Sequence, residues 1–208
     1  MKKGVLLILS GFAGSGKGTI VKELTGRYDC YALSVSATTR APRPGEENGR
    51  EYFFKSRQEF EEMIDNDELL EHACYVDNYY GTPRKYVDVM LNRGKDVILE
   101  IEQQGALLVK EKCPEAVLMF VMPPSVGEVY NRLKKRGTES EEVIMKRMRQ
   151  GANEAAVIDK YDYLIINDDL EKCIEEVHNT VQCAKCATLR NRDLIDTVIR
   201  EFDEFLEK

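Results

Sequence analysis

Four short apolar runs stand out from a mixed polar background: "GVLLIL" at 4–9, "DVILEI" at 96–101, "AVLMFV" at 116–121 and "YDYLII" at 161–166. Each is short and almost continuously apolar, which predicts a strand covered on both faces. Segments of helical period separate them, and several carry a start signal. Ser56, Ser125 and Thr138 each stand three residues before a glutamate (Glu59, Glu128, Glu141). At that spacing a hydroxyl and a carboxylate satisfy free N–H groups of a first helical turn. Asn92-Arg93-Gly94 has the composition of a helix C-terminus. Strands and helices alternating in this way predict an α/β fold, a three-layer parallel sheet with helices on both faces.

Two stretches interrupt the alternation. Residues 34–82 open on the turn-rich "SVSATTRAPRPGEENGREYFF" and continue through the strand-like pieces "EYFF", "LLEHACY" and "NYYGT". Residues 128–150 are dense in charge, with "RLKKRGTESEEVIMKRMRQ" among them. Both read as insertions on one domain spanning 1–186, whose core is 1–33, 83–127 and 151–186. Residues 187–208 predict a C-terminal helical extension, with apolar positions at 194, 195, 198, 199, 202, 205 and 206 repeating near 3.6. That stripe suits either the chain's own core or a second subunit.

Composition narrows the function classes. A chain of 208 residues can bury roughly 70% of its unfolded surface around one core. The net charge of −7 argues against a broad nucleic-acid or anionic-membrane surface and leaves room for a local basic pocket. No apolar run near the start has the length of a bilayer span or a secretory leader, so a cytoplasmic location is expected. The six cysteines are scattered and read as reduced thiols. Cys183 and Cys186 form a C-x-x-C with His178 five residues upstream. A zinc site would need a fourth ligand, and two thiols on a late helix are the simpler reading.

The first apolar run leads into "SGFAGSGKGTI" at 10–20. Gly11, Gly16 and Lys17 satisfy the phosphate-loop spacing G-x-x-x-x-G-K, while Gly18 stands where Ser or Thr is common and Thr19 follows one residue late. A strand that ends in a glycine-rich turn and opens a helix points several backbone N–H groups at one spot, where the helix dipole also favours an anion. Gly11, Gly14 and Gly16 permit the required backbone, and Lys17 adds a point charge. Phe12, Ala13, Ser15, Gly18 and Thr19 complete the candidate nucleotide-binding loop, a signal strong for a nucleotide and weak for which one. Further on, Arg40 and Arg43 flank a turn stiffened by Pro42 and Pro44, which suits a fork around one phosphate dianion.

The ordered set "GKGT", "SATTRAPRPGE", "NYYGT", "LEIEQQGA", "PPS", "RGTES" and "IINDD", across about residues 4–186, resembles the guanylate kinases. The resemblance implies a phosphate-loop NTPase-like core, a GMP-binding insertion at 34–82 and a lid at 128–150. It implies transfer of the γ-phosphoryl group of ATP to GMP, with Mg2+ accompanying ATP and held through its phosphates and water. Ser36, Arg40, Arg43, Tyr52 and Tyr80 would hold the GMP phosphate, and Glu71 and Thr82 would read guanine. Glu100 and Glu102 would face GMP or magnesium-bound water. Lys17, Arg136 and Arg147 would act on the transferring phosphoryl, and Asn167 would lie near adenine. On charge pattern alone, Arg136 and Arg147 read as a salt-bridged helical surface beside Glu139, Glu141 and Glu142, and the resemblance reverses that reading.

Three features depart from the family's usual pattern. Phe12-Ala13 replaces a common Pro-Ser, Glu100 and Glu102 stand where many members carry Asp, and 187–208 lie outside the resemblance. Two rivals stay open at this stage. One is a guanylate-kinase-like scaffold module that binds phosphoproteins, and the other is a kinase for a different small phosphate acceptor. Partners are expected to be ATP and GMP, with no nucleic acid or membrane, in a monomer or homodimer.

Overall fold

The structure is a computed structural model that describes residues 3–75, 77–137 and 140–207, without the side chains of Tyr75 and Arg136. The apolar runs form strands β1 (Leu6–Gly11), β7 (Asp96–Glu100), β8 (Val117–Met122) and β9 (Tyr163–Ile166), joined by the short β2 (Tyr31–Leu33). They make one parallel sheet in the order β2-β7-β1-β8-β9. Strand β1 lies at its centre, and its side chains alternate between the two faces. Val5, Leu7 and Leu9 pack against α1 (Lys17–Arg27) and α7 (Leu170–Ala184), whereas Leu6 and Ile8 pack against α3 (Arg84–Asn92) and α4 (Gln103–Lys112). The three-layer expectation holds, and burial on both faces explains why β1, β7 and β8 read as unbroken apolar runs. Strand β9 departs from it, because it is the edge strand and only Ile165 is buried, with Tyr163, Leu164 and Ile166 exposed.

The 34–82 segment builds a second sheet, β4-β3-β6-β5, from β3 (Ala37–Thr38), β4 (Phe53–Phe54), β5 (Leu69–Tyr75) and β6 (Asn78–Pro83). "EYFF" contributes only its last two residues as strand. This sheet has its own small core of Ala37, Phe60 and Leu69, with Phe60 supplied by α2 (Arg57–Asp65). Ser56 caps α2 with a complete capping box to Glu59, as its spacing predicts. Ser125 likewise accepts the Glu128 N–H at the start of α5 (Val126–Arg136).

The third expected cap differs. Helix α6 (Glu141–Ala155) is capped by Ser140, which accepts from the Val143 N–H, and Thr138 lies outside the described residues. "TESE" offers two hydroxyls two residues apart, and the one adjacent to the first helical residue takes the role. Helices α5 and α6 both run past the limits of 128–150. Val129, Leu133 and Ile144 pack with Phe12 and Phe120 beside the phosphate loop.

The "CAKC" residues also find their setting. Lys185, between the two cysteines, pairs at 2.8 Å with Asp96, which is fully buried and accepts the Val5 N–H at 2.9 Å. His178 stacks on Tyr28 with ring centroids 3.8 Å apart, and its Nδ1 lies 3.0 Å from the Tyr31 hydroxyl. The cysteines flank this arrangement as exposed free thiols.

Candidate active site

The C-terminal ends of β1 and β7 and the start of α1 meet at one edge of the parallel sheet, where ligands of open α/β sheets bind. Gly14 and Gly16 have φ of 78° and 93°, in the left-handed region open to glycine. Gly16 caps α1, and Asn167 closes over it so tightly that a Cβ at 16 would strike its amide. The buried Asn167 side chain donates to the Ser15 carbonyl at 2.8 Å. This residue therefore braces the loop while also lining an open cavity with Gly14, Gly16, Thr19, Arg132, Lys135 and Leu170. Arg132 reaches the cavity along α5, held by Glu128 at 2.7 Å and donating to the Asn167 carbonyl at 2.8 Å. Arg132 and Lys135 were not singled out by sequence reasoning, because "RLKKR" offers four cations with nothing to rank them.

Lys17 is folded onto its own loop, donating to the carbonyls of Gly11 at 2.6 Å and Phe12 at 3.2 Å. Facing it is Glu100, whose carboxylate oxygens stand 3.7 and 3.8 Å from where a Cβ on Gly18 would lie. The side chain that Gly18 lacks would thus have a carboxylate for a neighbour. Glu100 keeps solvent contact, yet the surrounding protein raises its pKa, with the Lys17 charge opposing the rise. Glu102, exposed, begins the turn of chain that opens α4.

A third carboxylate joins this group. Glu154 of α6 is 8% exposed, and one of its oxygens has no hydrogen-bond partner among the described residues. Burial and the Glu102 charge raise its pKa, while Lys17 lowers it. Spacing alone does not mark it: Arg147, Gly151 and Glu154 share one face of α6 at i, i+4 and i+7, and the contact of Gly151 with Phe12 of the loop is what turns that face toward the site. Arg147 itself is exposed on that face, and the Arg136 side chain lies outside the described residues.

The inserted sheet brings the other predicted residues together. Strand β3 pairs with both β4 and β6, so Thr38 stands opposite Tyr80, and the Phe53 N–H donates to the Ser36 carbonyl at 2.9 Å. The Tyr52 and Tyr80 rings meet edge-on at 6.0 Å, and the Arg40 guanidinium lies 5.4 Å from the Tyr52 centroid. One Arg40 nitrogen donates to both oxygens of Glu46 at 2.9 Å, and the same carboxylate accepts the Arg43 backbone N–H at 2.8 Å. Those contacts hold the Glu46 carboxyl below its usual range, the Arg43 N–H first and the Arg40 charge after it. Glu46 thus ties both halves of the arginine turn, while the Arg43 side chain is exposed.

Glu71 is presented by an irregularity. The β5–β6 register shifts between Leu69 and His72, so the consecutive residues Leu69, Leu70 and Glu71 are all buried. A bulge of this kind re-aims a side chain that regular alternation would send outward. Thr82, fully buried on β6, donates its hydroxyl to Glu71 Oε1 at 2.7 Å. On the other side, a Cβ on Gly105 of α4 would lie 2.7 Å from Glu71 Oε2. Glycine there makes the notch that admits the carboxylate. Burial raises the Glu71 pKa, and the Thr82 hydroxyl counters that rise.

This arrangement offers an anion-binding loop with a lysine, a separate arginine turn, and a buried acceptor–donor pair. The sequence matches the guanylate kinase family over residues 3–184. It is 50% identical to a guanylate kinase of Caldanaerobacter subterraneus over 193 residues, 93% of this chain and 94% of the relative. It is 48% identical to a guanylate kinase of Clostridioides difficile over 206 residues, 99% of each chain, a match that takes in the C-terminal helix. Among solved structures, guanylate kinase from Anaplasma phagocytophilum superposes with a TM-score of 0.73 at 33% identity, covering 95% of this chain and 96% of that one. The chain belongs to the guanylate kinase family.

Proposed function

We propose that this chain transfers the γ-phosphoryl group of ATP to GMP, giving ADP and GDP. The observation that carries the reading is the buried Glu71–Thr82 pair, an acceptor beside a donor, presented on the sheet that also holds the Arg40 turn. The phosphate loop would cradle the ATP phosphates through residues 11–19, and Lys17 would leave the Gly11 and Phe12 carbonyls for the outer phosphates. The cavity lined by Asn167 and Arg132 would take the nucleoside of ATP. Ser36, Arg40, Arg43, Tyr52 and Tyr80 would hold the GMP phosphate, with Glu46 setting the arginine turn.

The residues present fit a magnesium ion that arrives with ATP. Glu100 puts a hard oxygen donor at the first turn of α1, and among the described residues no group of three His, Cys, Asp or Glu side chains could hold a metal by itself. Magnesium would neutralise phosphate charge. Glu100, Glu102 and Glu154 would orient its waters or the acceptor, and Arg136 and Arg147 would close on the moving phosphoryl from the lid. Exclusion of water by that closure keeps ATP from hydrolysis. A location in the cytoplasm agrees with the absence, among the described residues, of any helix long and apolar enough to cross a membrane.

The test of this reading is whether ADP forms from ATP only when GMP is present, with GDP in equal amount. ATP turnover that ignores GMP would contradict it, and phosphopeptide binding without turnover would favour a scaffold module. Gly105→Ala supplies a sharper check of how Glu71 is held. The added methyl must displace the carboxylate, so KM for GMP should rise about 10-fold while KM for ATP stays unchanged. Equal KM values for GMP in the two proteins would show that the notch does not control Glu71. Cys183→Ser combined with Cys186→Ser should leave turnover at the wild-type level, because both thiols are exposed and flank the Lys185–Asp96 pair without joining it. Stoichiometric zinc in the wild type, lost with activity in the double variant, would overturn that expectation.

A further inference from the structure

Three consecutive residues at the junction of the inserted sheet and the core face three different surroundings. Leu69 packs into the insertion's own core, Leu70 packs with residues of α3 and α4, and Glu71 enters the notch at Gly105. The register shift between Leu69 and His72 makes this possible. A bulge interrupts the ladder and leaves its backbone short of partners, so one geometry persists only with support from outside the sheet.

Helix α4 supplies that support two turns beyond the notch. Gly105 and Lys112 stand at i and i+7, on one face of the helix. The Lys112 ammonium donates to the Leu69 carbonyl at 3.5 Å and pairs with Asp67 Oδ1 at 3.6 Å. Helix α3 grips the same turn: Arg84 donates to Asp67 Oδ2 at 3.1 Å and to the Asp67 carbonyl at 3.2 Å, and its N–H donates to the Glu68 carbonyl at 2.8 Å. Asp67 has φ of 51°, left-handed backbone that a short polar side chain tolerates, in the turn between α2 and β5. Two turns of helix advance about 10 Å, and the extended chain from Glu71 back to Leu69 or Asp67 covers about 7–13 Å, so one rigid helix face meets both points.

We propose that Lys112 is a positioning residue for guanine selection: through the Leu69 carbonyl and Asp67 it holds the bulge that aims Glu71 into the Gly105 notch. The proposal rests on the reading of Glu71 as the group that takes the guanine donors. Lys112 acts through Glu71 and touches no substrate. Its side chain is 43% exposed and that of Asp67 75%, so the ion pair itself contributes little to stability. Guanine recognition is more sensitive, because a small misplacement of a positioned group is costly. The ammonium has a second effect on the same carboxylate. Among the described residues, the elements packed on Glu71 bring Lys112 from α4 and the Thr82 hydroxyl from β6, and both oppose the rise in its pKa that burial causes.

The experiment is steady-state kinetics of the full chain, with GMP and ATP varied separately, in Lys112→Met, Lys112→Arg, Glu71→Gln and the double variant Glu71→Gln with Lys112→Met. Lys112→Met is expected to raise KM for GMP about 5-fold and to leave kcat and KM for ATP within about 2-fold. Its Tm should stay within about 2 °C of the wild type, as for loss of an exposed pair. Lys112→Arg keeps the charge and the donors, so its KM for GMP should return to within about 2-fold of the wild type. Without the ammonium Glu71 holds its proton to higher pH. In Lys112→Met the rise of KM for GMP with falling pH should therefore set in at higher pH than in the wild type. On top of Glu71→Gln, Lys112→Met should add less than about 2-fold, because the group it positions is already lost. A KM for GMP unmoved by Lys112→Met, beside a clear defect in Glu71→Gln, overturns the role of Lys112 alone. An equal rise in Lys112→Arg, or a full effect persisting on Glu71→Gln, overturns it as well. Glu71→Gln equal to the wild type would instead refute the reading of Glu71, and the proposal would fall with it.

Discussion

Lys17→Ala should lower kcat by about 10²–10³, roughly 3–4 kcal/mol, in a protein that remains folded. The cause is differential. In the structure the ammonium rests on the Gly11 and Phe12 carbonyls, contacts that solvent can replace when the side chain is removed. Charge on the transferring phosphoryl demands it most in the transition state, so the loss should fall on kcat more than on KM for ATP. Steady-state kinetics, with circular dichroism as a check on folding, decides the matter. An unchanged kcat would remove Lys17 from the chemistry.

Glu71→Gln should cost about 2–4 kcal/mol in kcat/KM for GMP, with KM for ATP little changed. Guanine presents two adjacent donors, N1–H and the N2 amine, beside the O6 acceptor. An ionised carboxylate accepts both donors, and the Thr82 hydroxyl can turn to O6. Glutamine keeps the shape but turns an amide donor toward a guanine donor. The pH dependence follows from the raised pKa of Glu71. If Glu71 reads guanine as proposed, only its ionised form can accept both donors, so KM for GMP should begin to rise with falling pH above the ordinary glutamate range.

Stability should move the opposite way. The folded state holds this proton to higher pH than the unfolded chain does. The favourable contribution of Glu71 is thus full below the unfolded pKa and lost as pH rises through the folded one. At neutral pH the buried charge is a cost, and Glu71→Gln should raise Tm while it lowers GMP turnover. A variant equal to the wild type in both Tm and kcat/KM would show that Glu71 neither suffers from burial nor reads the base.

What the chain discloses in one dimension depends on how local the governing physics is. Strands β1, β7 and β8 are legible because burial on both faces leaves continuous apolar runs, and Ser56 is legible because its capping box closes within four residues. Strands β2, β3 and β4 have two or three residues each and exist because neighbours pair with them, so no periodicity announces them. The phosphate loop and the arginine turn were readable from spacing. The supports of the site were not. Gly105 matters only because Glu71 lies against it from 34 residues away, and Asp96 meets Lys185 across 89 positions. Glu154 hides at the edge of an apolar helix face, where a lone carboxylate reads as surface until its burial is known.

The central claim is that the cleft transfers phosphoryl to GMP and selects it by the Glu71–Thr82 pair. The measurement that tests it most directly is kcat/KM for GMP, AMP, CMP and UMP with ATP as donor, in the wild type and in Glu71→Gln. The account predicts that the wild type prefers GMP over AMP by about 10⁴ or more, the margin open to a site built on buried hydrogen bonds. It also predicts that Glu71→Gln narrows that margin by about 30- to 900-fold through slower GMP turnover. Comparable turnover of AMP and GMP by the wild type, or a preference left intact by Glu71→Gln, would contradict it.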